Sequence, residues 1–126
     1  NIMDLAAKGN LNQVDLTIQD IAETSISFLR EDATAANFGK MLDTATREDI
    51  ALGIINMVFQ VIGMLSVFAA RSRNKKSAVV TGNGSNNELG KVVLNGITEL
   101  YGIRFEFPED AEFSTAIGAA LAGTSL

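Results

Sequence analysis

The stretch SAVVTGNGSNNELGKVVLNGITELY, residues 77–101, decides the predicted fold. It starts with a short β-branched apolar run, breaks into a turn rich in Gly, Asn and Ser, and continues with apolar residues at helical spacing. This order predicts a strand, a tight loop and a helix closed by Gly102. Ligands of α/β proteins bind at the carboxyl ends of strands, where a helix N-terminus offers free N–H groups. We therefore predict a binding site in the loop 81–87.

Two phosphate-binding motifs nearly fit this loop, and both fail on specific residues. A P-loop would need glycine where the chain has Ser85, and Ser or Thr where it has Val92. The dinucleotide pattern G-x-G-x-x-G is met by Gly82 and Gly84, but its third glycine is replaced by Asn87. The loop is therefore not predicted to cradle phosphates.

Two other interpretations of the loop stay open on these residues alone. Glu106 lies 22 residues after Gly84 and would suit a ribose hydroxyl, which keeps a nicotinamide-binding module possible. The glycines could also serve only a tight turn, with Asn86 or Asn87 capping the next helix.

Composition narrows the class of protein. A chain of 126 residues with 47% hydrophobic content predicts one globular domain or lobe. The net charge of −5 argues against a nucleic-acid partner. The chain has no His and no Cys, so chemistry would need carboxylates, Lys, Arg or backbone groups. The absence of Cys is consistent with a reducing compartment, and a cytoplasmic location is expected.

The first part of the chain predicts three short elements. Residues 2–8 predict the end of a helix closed by glycine. Apolar and polar residues alternate over 14–19 and predict a strand, although continuation as a helix stays open. Residues 33–42 predict a short helix capped by Asp32 or Thr34.

The strongest helical signal begins at Glu48 and ends at Arg73. Thr46 can cap its start, and basic residues at its end complement the helix dipole. Positions 51–70 carry no charge, which raises a membrane-spanning interpretation. A narrow polar and small-residue stripe favours instead a helix covered on both faces, including by a second lobe or subunit. That stripe consists of Asp49, Gly53, Asn56, Gln60 and Gly63.

The last part of the chain predicts a strand over 103–107 and a final helix from Ser114 or Thr115. Together with the preceding strand and helix, this order predicts parallel strands joined by right-handed crossovers. The final helix is made mostly of small residues, which predicts tight packing.

Four segments together resemble a known family. They are VDLTIQDI at 14–21, TAANFG at 34–39, VVTGNG at 79–84 and EFSTAIGAAL at 112–121. In this order they resemble the C-terminal end of type II pantothenate kinases, which belong to the acetate kinase, sugar kinase, Hsp70 and actin superfamily.

The resemblance implies a fold and an activity. Residues 1–126 would be a partial C-terminal lobe of an actin-like, ribonuclease H-like ATPase, an α/β fold with a mostly parallel sheet flanked by helices. The whole enzyme would use ATP and Mg²⁺ to phosphorylate pantothenate, the first step of coenzyme A synthesis. It would be a homodimer through the helix that begins at Glu48 and ends at Arg73, with coenzyme A or acyl-CoA as a feedback ligand.

The resemblance also assigns site residues. Those expected near the adenine and ribose of ATP are Gly82, Asn83, Gly84, Ser85 and Asn86. Those expected near pantothenate, acyl-CoA or the dimer seam are Ala35, Ala36, Asn37, Phe38 and Gly39.

The departures from the family pattern limit what this chain is expected to do. It lacks the D-x-G-G-T and G-T-G-G-G phosphate motifs and the catalytic carboxylate, so no catalytic residue or metal ligand is expected and the chain alone is predicted to be inactive. Residues 23–31 also differ from the family segment. A sugar kinase of the same superfamily and a non-catalytic nucleotide-binding or dimerisation module are the alternatives. Neither nucleic acid nor a membrane is expected as a partner.

Overall fold

The computed structural model describes residues 1–22 and 29–124. The protein is mixed α/β and mostly helical, and within those residues its strands form two separate two-stranded sheets. The chain divides into two compact units, Asn1–Val58 and Phe59–Leu126, each described by itself below.

The first unit consists of short elements and the start of a long helix. The side chain of Asn1 caps the first helix by accepting the backbone N–H of Met3 at 2.6 Å. The helix predicted over 2–8 is confirmed, but it ends at Ala6, before Gly9. The elements are α1 (Ile2–Ala6), β1 (Leu16–Thr17), α2 (Ile18–Ile21), β2 (Thr34–Ala36) and the start of α3 (Arg47–Ser72).

The strand predicted over 14–19 is confirmed only in its centre. β1 and β2 pair antiparallel, with Leu16 opposite Ala36. The chain turns into α2 immediately afterwards, because the backbone N–H and the hydroxyl of Thr17 donate to the carboxylate of Asp20 at 2.8 and 2.9 Å. This arrangement caps a helix and ends the extended run.

The short helix predicted over 33–42 is wrong, and the chain there forms β2 and a turn. The backbone carbonyl of Ala33 accepts the N–H of Ile18 at 2.9 Å, which commits this backbone to sheet-like pairing. Phe38 has a φ of 52°, a left-handed conformation that interrupts a right-handed helix. Tertiary hydrogen bonds therefore overrode the helical pattern.

Helix α3 confirms the long helix of the sequence prediction. Thr46 and Asp49 bond reciprocally across its first turn: the N–H of Thr46 donates to the Asp49 carboxylate at 2.8 Å, and the N–H of Asp49 donates to the Thr46 hydroxyl at 3.3 Å. After Ser72 the chain leaves the helix through Asn74, whose φ is 53°. Both ends lie within one residue of the predicted ones.

The stripe of polar and small residues lies on the inward side of α3. Asp49, Gly53, Asn56 and Gly63 are buried, and Gln60 is half-buried. The opposite side carries exposed large apolar side chains, and its covering by a second lobe or subunit stays a prediction. Among the described residues, α3 is the one helix long and apolar enough to cross a membrane by length and composition alone.

The second unit contains the elements that surround the predicted loop. β3 and β4 pair in parallel, with Ala78 opposite Phe105, as the sequence predicted. Gly102 ends the intervening helix in the left-handed conformation, with a φ of 71°. The elements after α3 are β3 (Ser77–Val79), α4 (Glu88–Tyr101), β4 (Arg104–Glu106) and α5 (Ser114–Gly123), with 3-10 turns at Asn83–Asn86 and Ala111–Phe113.

Two glycines let α4 pack closely on the second half of α3. A Cβ on Gly63 would collide with Ile97, and a Cβ on Gly90 would collide with the ring of Phe59. Leu94 lies between these contacts and is fully buried, which contributes about 1.5–3 kcal/mol to stability. The packing of α4 on the second half of α3 therefore holds in place the helix that follows the loop 81–87.

Helix α5 forms where predicted, but the tight packing predicted for it is not observed within residues 1–22 and 29–124. A Cβ on Gly118 would meet no atom within 4 Å, and Ile117 and Leu121 are exposed. The expected sheet also differs. One of the two small sheets is antiparallel, so the described residues do not form a single mostly parallel sheet.

Candidate functional site

The loop between β3 and α4 leaves the sheet through a glycine-only backbone conformation. Gly82 has φ 81° and ψ 179°, a region that side chains make unfavourable. Its N–H donates to the carbonyl of Ala111 at 2.8 Å, which anchors the loop to the turn before α5. A substituted Gly82 would therefore strain the anchored point of the loop.

The middle of the loop is a 3-10 turn that holds itself together. Ser85 is 2% exposed, and its hydroxyl donates to the carbonyl of Gly82 at 2.8 Å. Asn87 accepts the N–H of Gly90 at 2.9 Å and so caps α4, one of the two caps the sequence allowed. The side chains of Ser85 and Asn87 are thus occupied by the fold.

The remaining predicted residues of the loop form an open surface. Asn83, Gly84 and Asn86 are exposed. A Cβ on Gly84 would meet nothing within 4 Å, and Gly84 does not share the positive φ of Gly82. Neither space nor backbone conformation requires glycine at position 84. The backbone there is open to close approach by a ligand.

Charged side chains border the loop on α4 and β4, and some of them are paired. The ammonium of Lys91 lies 2.7 Å from the carboxylate of Glu88 and 5.5 Å from the ring centre of Phe107. Glu106, the residue considered for a ribose hydroxyl, ends β4 and is exposed. The geometry of the loop offers backbone and amide groups more than charge, which suits a neutral part of a ligand.

In the first unit, the predicted segment 35–39 is divided between a strand and a turn. Ala35 and Ala36 belong to β2 and are exposed, Asn37 and Phe38 are half-buried, and Gly39 is exposed. The ring of Phe38 lies close to Gly53 on α3, where a Cβ would come within 2.8 Å of it. The glycine in the α3 stripe therefore makes room for this ring.

A buried carboxylate holds this segment in place. Asp15 is 0% exposed. Its carboxylate accepts the N–H of Phe38 and an N–H of Asn56, each at 2.8 Å, and the hydroxyl of Thr34 at 3.0 Å, with Asn37 farther away at 3.5 Å. We call Asp15, Thr34, Phe38 and Asn56 the Asp15 cluster. Its donors carry no charge, so hydrogen bonds alone compensate for burial of the carboxylate.

Sequence reasoning missed this cluster, although both signals were present. The sequence pattern makes Asp15 the polar partner in an alternating strand and Asn56 one member of the polar stripe. A carboxylate that becomes buried needs donors, and an amide on the inward side of an apolar helix is a suitable one. The hydrogen bond between Asp15 and Asn56 could not be predicted, because it depends on where the fold places the two residues.

Other carboxylates of the first unit serve the local structure. The ammonium of Lys40, at 2.6 Å, and the groups of Thr17 lower the pKa of Asp20 to about 2. The backbone N–H groups of Thr46 and Asn10 hold the pKa of Asp49 below its ordinary value. Within the described ranges no group of three or more Asp, Glu, His or Cys could hold a metal ion.

The described residues form a mixed α/β fold with a glycine loop after a parallel strand. Comparison with known proteins identifies the family. The family model named Fumble matches residues 1–99. The chain belongs to the Fumble family.

The chain is also homologous to type II pantothenate kinases. It is 33% identical over 123 residues to the type II pantothenate kinase of Staphylococcus saprophyticus, which covers 94% of this chain and 46% of that protein. It is 30% identical over 127 residues to the enzyme of Staphylococcus aureus, covering 97% of this chain and 48% of the relative. The chain spans about half the length of the curated relatives it matches.

The resemblance stated from four segments is thereby confirmed at the level of the family. The assignment of individual site residues stays a prediction. The predicted difference between residues 23–31 and the family segment lies mostly outside the described residues, which resume at residue 29.

Proposed function

We propose that this chain is the C-terminal part of an ATP-dependent pantothenate kinase with an actin-like fold, acting in the cytoplasm. The homology to type II pantothenate kinases over nearly the whole chain carries this proposal. The proposed reaction transfers the γ-phosphoryl group of ATP to a hydroxyl of pantothenate.

In this proposal the loop 82–86 contacts the adenine and ribose of ATP. The open backbone at Gly84 supports it, because a flat base or a ribose can approach there without meeting a side chain. Asn83 and Asn86 are exposed and offer amide donors and acceptors. Ser85 acts indirectly, since its buried hydroxyl holds the turn in shape.

On the other side of the reaction, residues 35–39 contact pantothenate or an acyl-CoA feedback ligand. The Asp15 cluster would position them, because the Asp15 carboxylate binds both Thr34 and the backbone of Phe38. The exposed Ala35 and Ala36 would present a small apolar surface to the pantetheine-like chain.

The phosphoryl-transfer chemistry is assigned to residues beyond those of this chain. Transfer depends on positioning and charge stabilisation around the γ-phosphate and Mg²⁺. The described residues contain no group of three or more carboxylates that could hold the ion. The chain alone is expected to be inactive.

Substrate turnover by the native full-length protein tests the proposal. Phosphoryl transfer from ATP to pantothenate or a pantetheine-like amide, with none to a hexose, would support it. Turnover with a hexose or N-acetylhexosamine and none with pantothenate would replace it with the sugar kinase alternative.

A homodimer through α3 is part of the proposal. The exposed apolar face of α3 supports it, because such a face is ordinarily covered in a folded assembly. A non-catalytic dimerisation module would share this face, and it is distinguished by the absence of turnover with every acceptor.

A further inference from the structure

The dipeptide Asn-Gly occurs twice in the chain, at Asn83-Gly84 and at Asn95-Gly96. In such a pair the backbone nitrogen of the glycine can attack the side-chain amide of the asparagine, because glycine has no Cβ to hinder the approach. The attack requires an exposed amide, a backbone nitrogen free of hydrogen bonds and a backbone that can rotate. The two pairs differ in how far the fold meets these conditions.

The first pair meets all three conditions. Asn83 and Gly84 are exposed and belong to a short 3-10 turn. The hydrogen bond that closes this turn runs from the N–H of Ser85 to the carbonyl of Gly82 at 3.0 Å. Within the described part of the chain, neither the N–H of Gly84 nor the side chain of Asn83 forms a hydrogen bond. A Cβ on Gly84 would meet nothing within 4 Å, so neighbouring atoms do not hinder rotation there.

The second pair has the same sequence but a protected backbone. Asn95 is exposed, yet Gly96 lies in the interior of the helix α4. In a helix interior each N–H donates to the carbonyl four residues earlier, so the helix occupies the nitrogen of Gly96. Leu94 and Ile97, on either side of the pair, are buried against Gly63 of α3. Attack at this pair would require the packed helix to open.

We propose that Asn83 is a site of spontaneous deamidation in the folded protein, with Gly84 as the attacking residue and solvent water as the co-reactant. The nitrogen of Gly84 forms a bond to Cγ of Asn83, and the bond between Cγ and Nδ2 breaks. Nδ2 leaves as ammonia and takes the proton of the attacking nitrogen. Water then opens the cyclic imide: addition at Cγ gives aspartate, and addition at the main-chain carbonyl carbon gives isoaspartate.

Both products change the loop 82–86. Aspartate places a negative charge where the amide was neutral. Isoaspartate also adds a methylene group to the backbone between Gly82 and Ser85, whose N–H and hydroxyl both donate to the Gly82 carbonyl, at 3.0 and 2.8 Å. The longer backbone would break this pair of bonds and open the turn. The modification should therefore weaken ATP binding, and this consequence alone rests on the proposed function.

Peptide mapping of the full chain tests the modification. The protein is held in mildly alkaline buffer made with heavy-oxygen water, which labels each carboxylate formed during the incubation. It is then digested with trypsin in ordinary water, so that deamidation during digestion stays unlabelled. Cleavage after Lys76, Lys91 and Arg104 places the two pairs in separate peptides, 77–91 and 92–104. Fragment masses then assign the label to individual residues.

The expected result is a large difference between two identical dipeptides. Label should accumulate at Asn83 at least about tenfold faster than at Asn95, because an exposed turn opens far more often than the interior of a packed helix. In the chain unfolded by denaturant the two rates should be similar. Equal rates at the two residues in the folded chain would overturn the inference, as would an Asn83 that reacts only after unfolding.

Gly84→Ala is the matched control for the attacking nitrogen. The added methyl group has space in the fold, but it hinders the approach of that nitrogen to the Asn83 amide. Labelling at Asn83 should slow several-fold in this variant, and labelling at Asn95 should be unchanged. An unchanged rate at Asn83 would contradict the role given to Gly84.

Kinetics of the native full-length protein separate the modification from the proposed function. Asn83→Asp carries the charge of the aspartate product and should raise the KM for ATP several-fold, whereas Asn95→Asp should leave it unchanged. If Asn83 is labelled but Asn83→Asp keeps its KM for ATP, the modification stands and the assignment of the loop to ATP is wrong. A raised KM without labelling of Asn83 would support that assignment and overturn the modification.

Discussion

The two predicted contact regions differ in how completely the fold explains their residues. Around Asp15 every buried side-chain polar atom of the described residues has a hydrogen-bond partner, and Gly53 is explained by the ring of Phe38. In the loop 82–86, Gly82 is explained by its positive φ, but Gly84 is explained by nothing in the described structure. A residue that the fold does not require is a stronger sign of a ligand than one that it does.

The largest effect is expected at Asp15. Asp15→Ala should lower the free energy of unfolding by about 3 kcal/mol or more, because Thr34, Phe38 and Asn56 would lose their buried acceptor. Chemical denaturation measures this change in the free energy of unfolding. Asp4→Ala, at an exposed carboxylate, serves as the control and should change stability by about 0.5 kcal/mol or less. Equal effects of the two variants would contradict the cluster.

A second prediction compares two glycines of α4. Gly90→Ala should destabilise by about 1–3 kcal/mol, because the added Cβ would collide with the ring of Phe59. Gly96→Ala, on the same helix but with no atom within 4 Å of its Cβ, should stabilise by about 0.5–1 kcal/mol. Thermal or chemical unfolding measures the stability of both variants. Changes in stability of the same sign would contradict the described packing.

A third prediction separates the two glycines of the loop. Gly82→Ala should cost about 1–2 kcal/mol of stability, because its φ of 81° with extended ψ is unfavourable for any side chain. Gly84→Ala should change stability by less than about 0.5 kcal/mol. If Gly84→Ala destabilises as much as Gly82→Ala, the turn itself requires Gly84, and this glycine no longer indicates a bound ligand.

The smallest effect is expected from pH. The pKa of Asp20 is lowered from 3.8 to about 2 in the folded protein, so its contribution to stability is present above about pH 4 and is lost as the pH falls towards 2. In Lys40→Met the ammonium is gone, and the loss of stability over that window should be smaller than in the wild type. Identical acid profiles would rule out the ion pair as the cause.

Local patterns predicted the second unit well and the first unit poorly. The strand before the loop, the capped helix after it and the parallel return strand follow from periodicity, Asn87 and Gly102, which act over a few residues. Residues 33–42 could not be predicted in this way, because their backbone is set by Ile18 and Asp15, which lie far away in the sequence.

The same distinction holds for the candidate site. The open loop could be located from its glycines, since turn chemistry is local. The Asp15 cluster joins α3 to the segment before it across 41 residues, and no local pattern encodes that pairing. The uncharged run 51–70 is evident in the sequence, but which of its side chains face outward depends on which side of α3 the rest of the chain covers.

Steady-state kinetics of Gly84→Ala in the native full-length protein test whether the loop 82–86 contacts ATP. We expect a KM for ATP raised several-fold, an unchanged KM for pantothenate and unchanged stability, because in the proposed site the added methyl group would meet the nucleotide. An unchanged KM for ATP, or an equal rise of both KM values, would contradict the assignment of this loop to ATP.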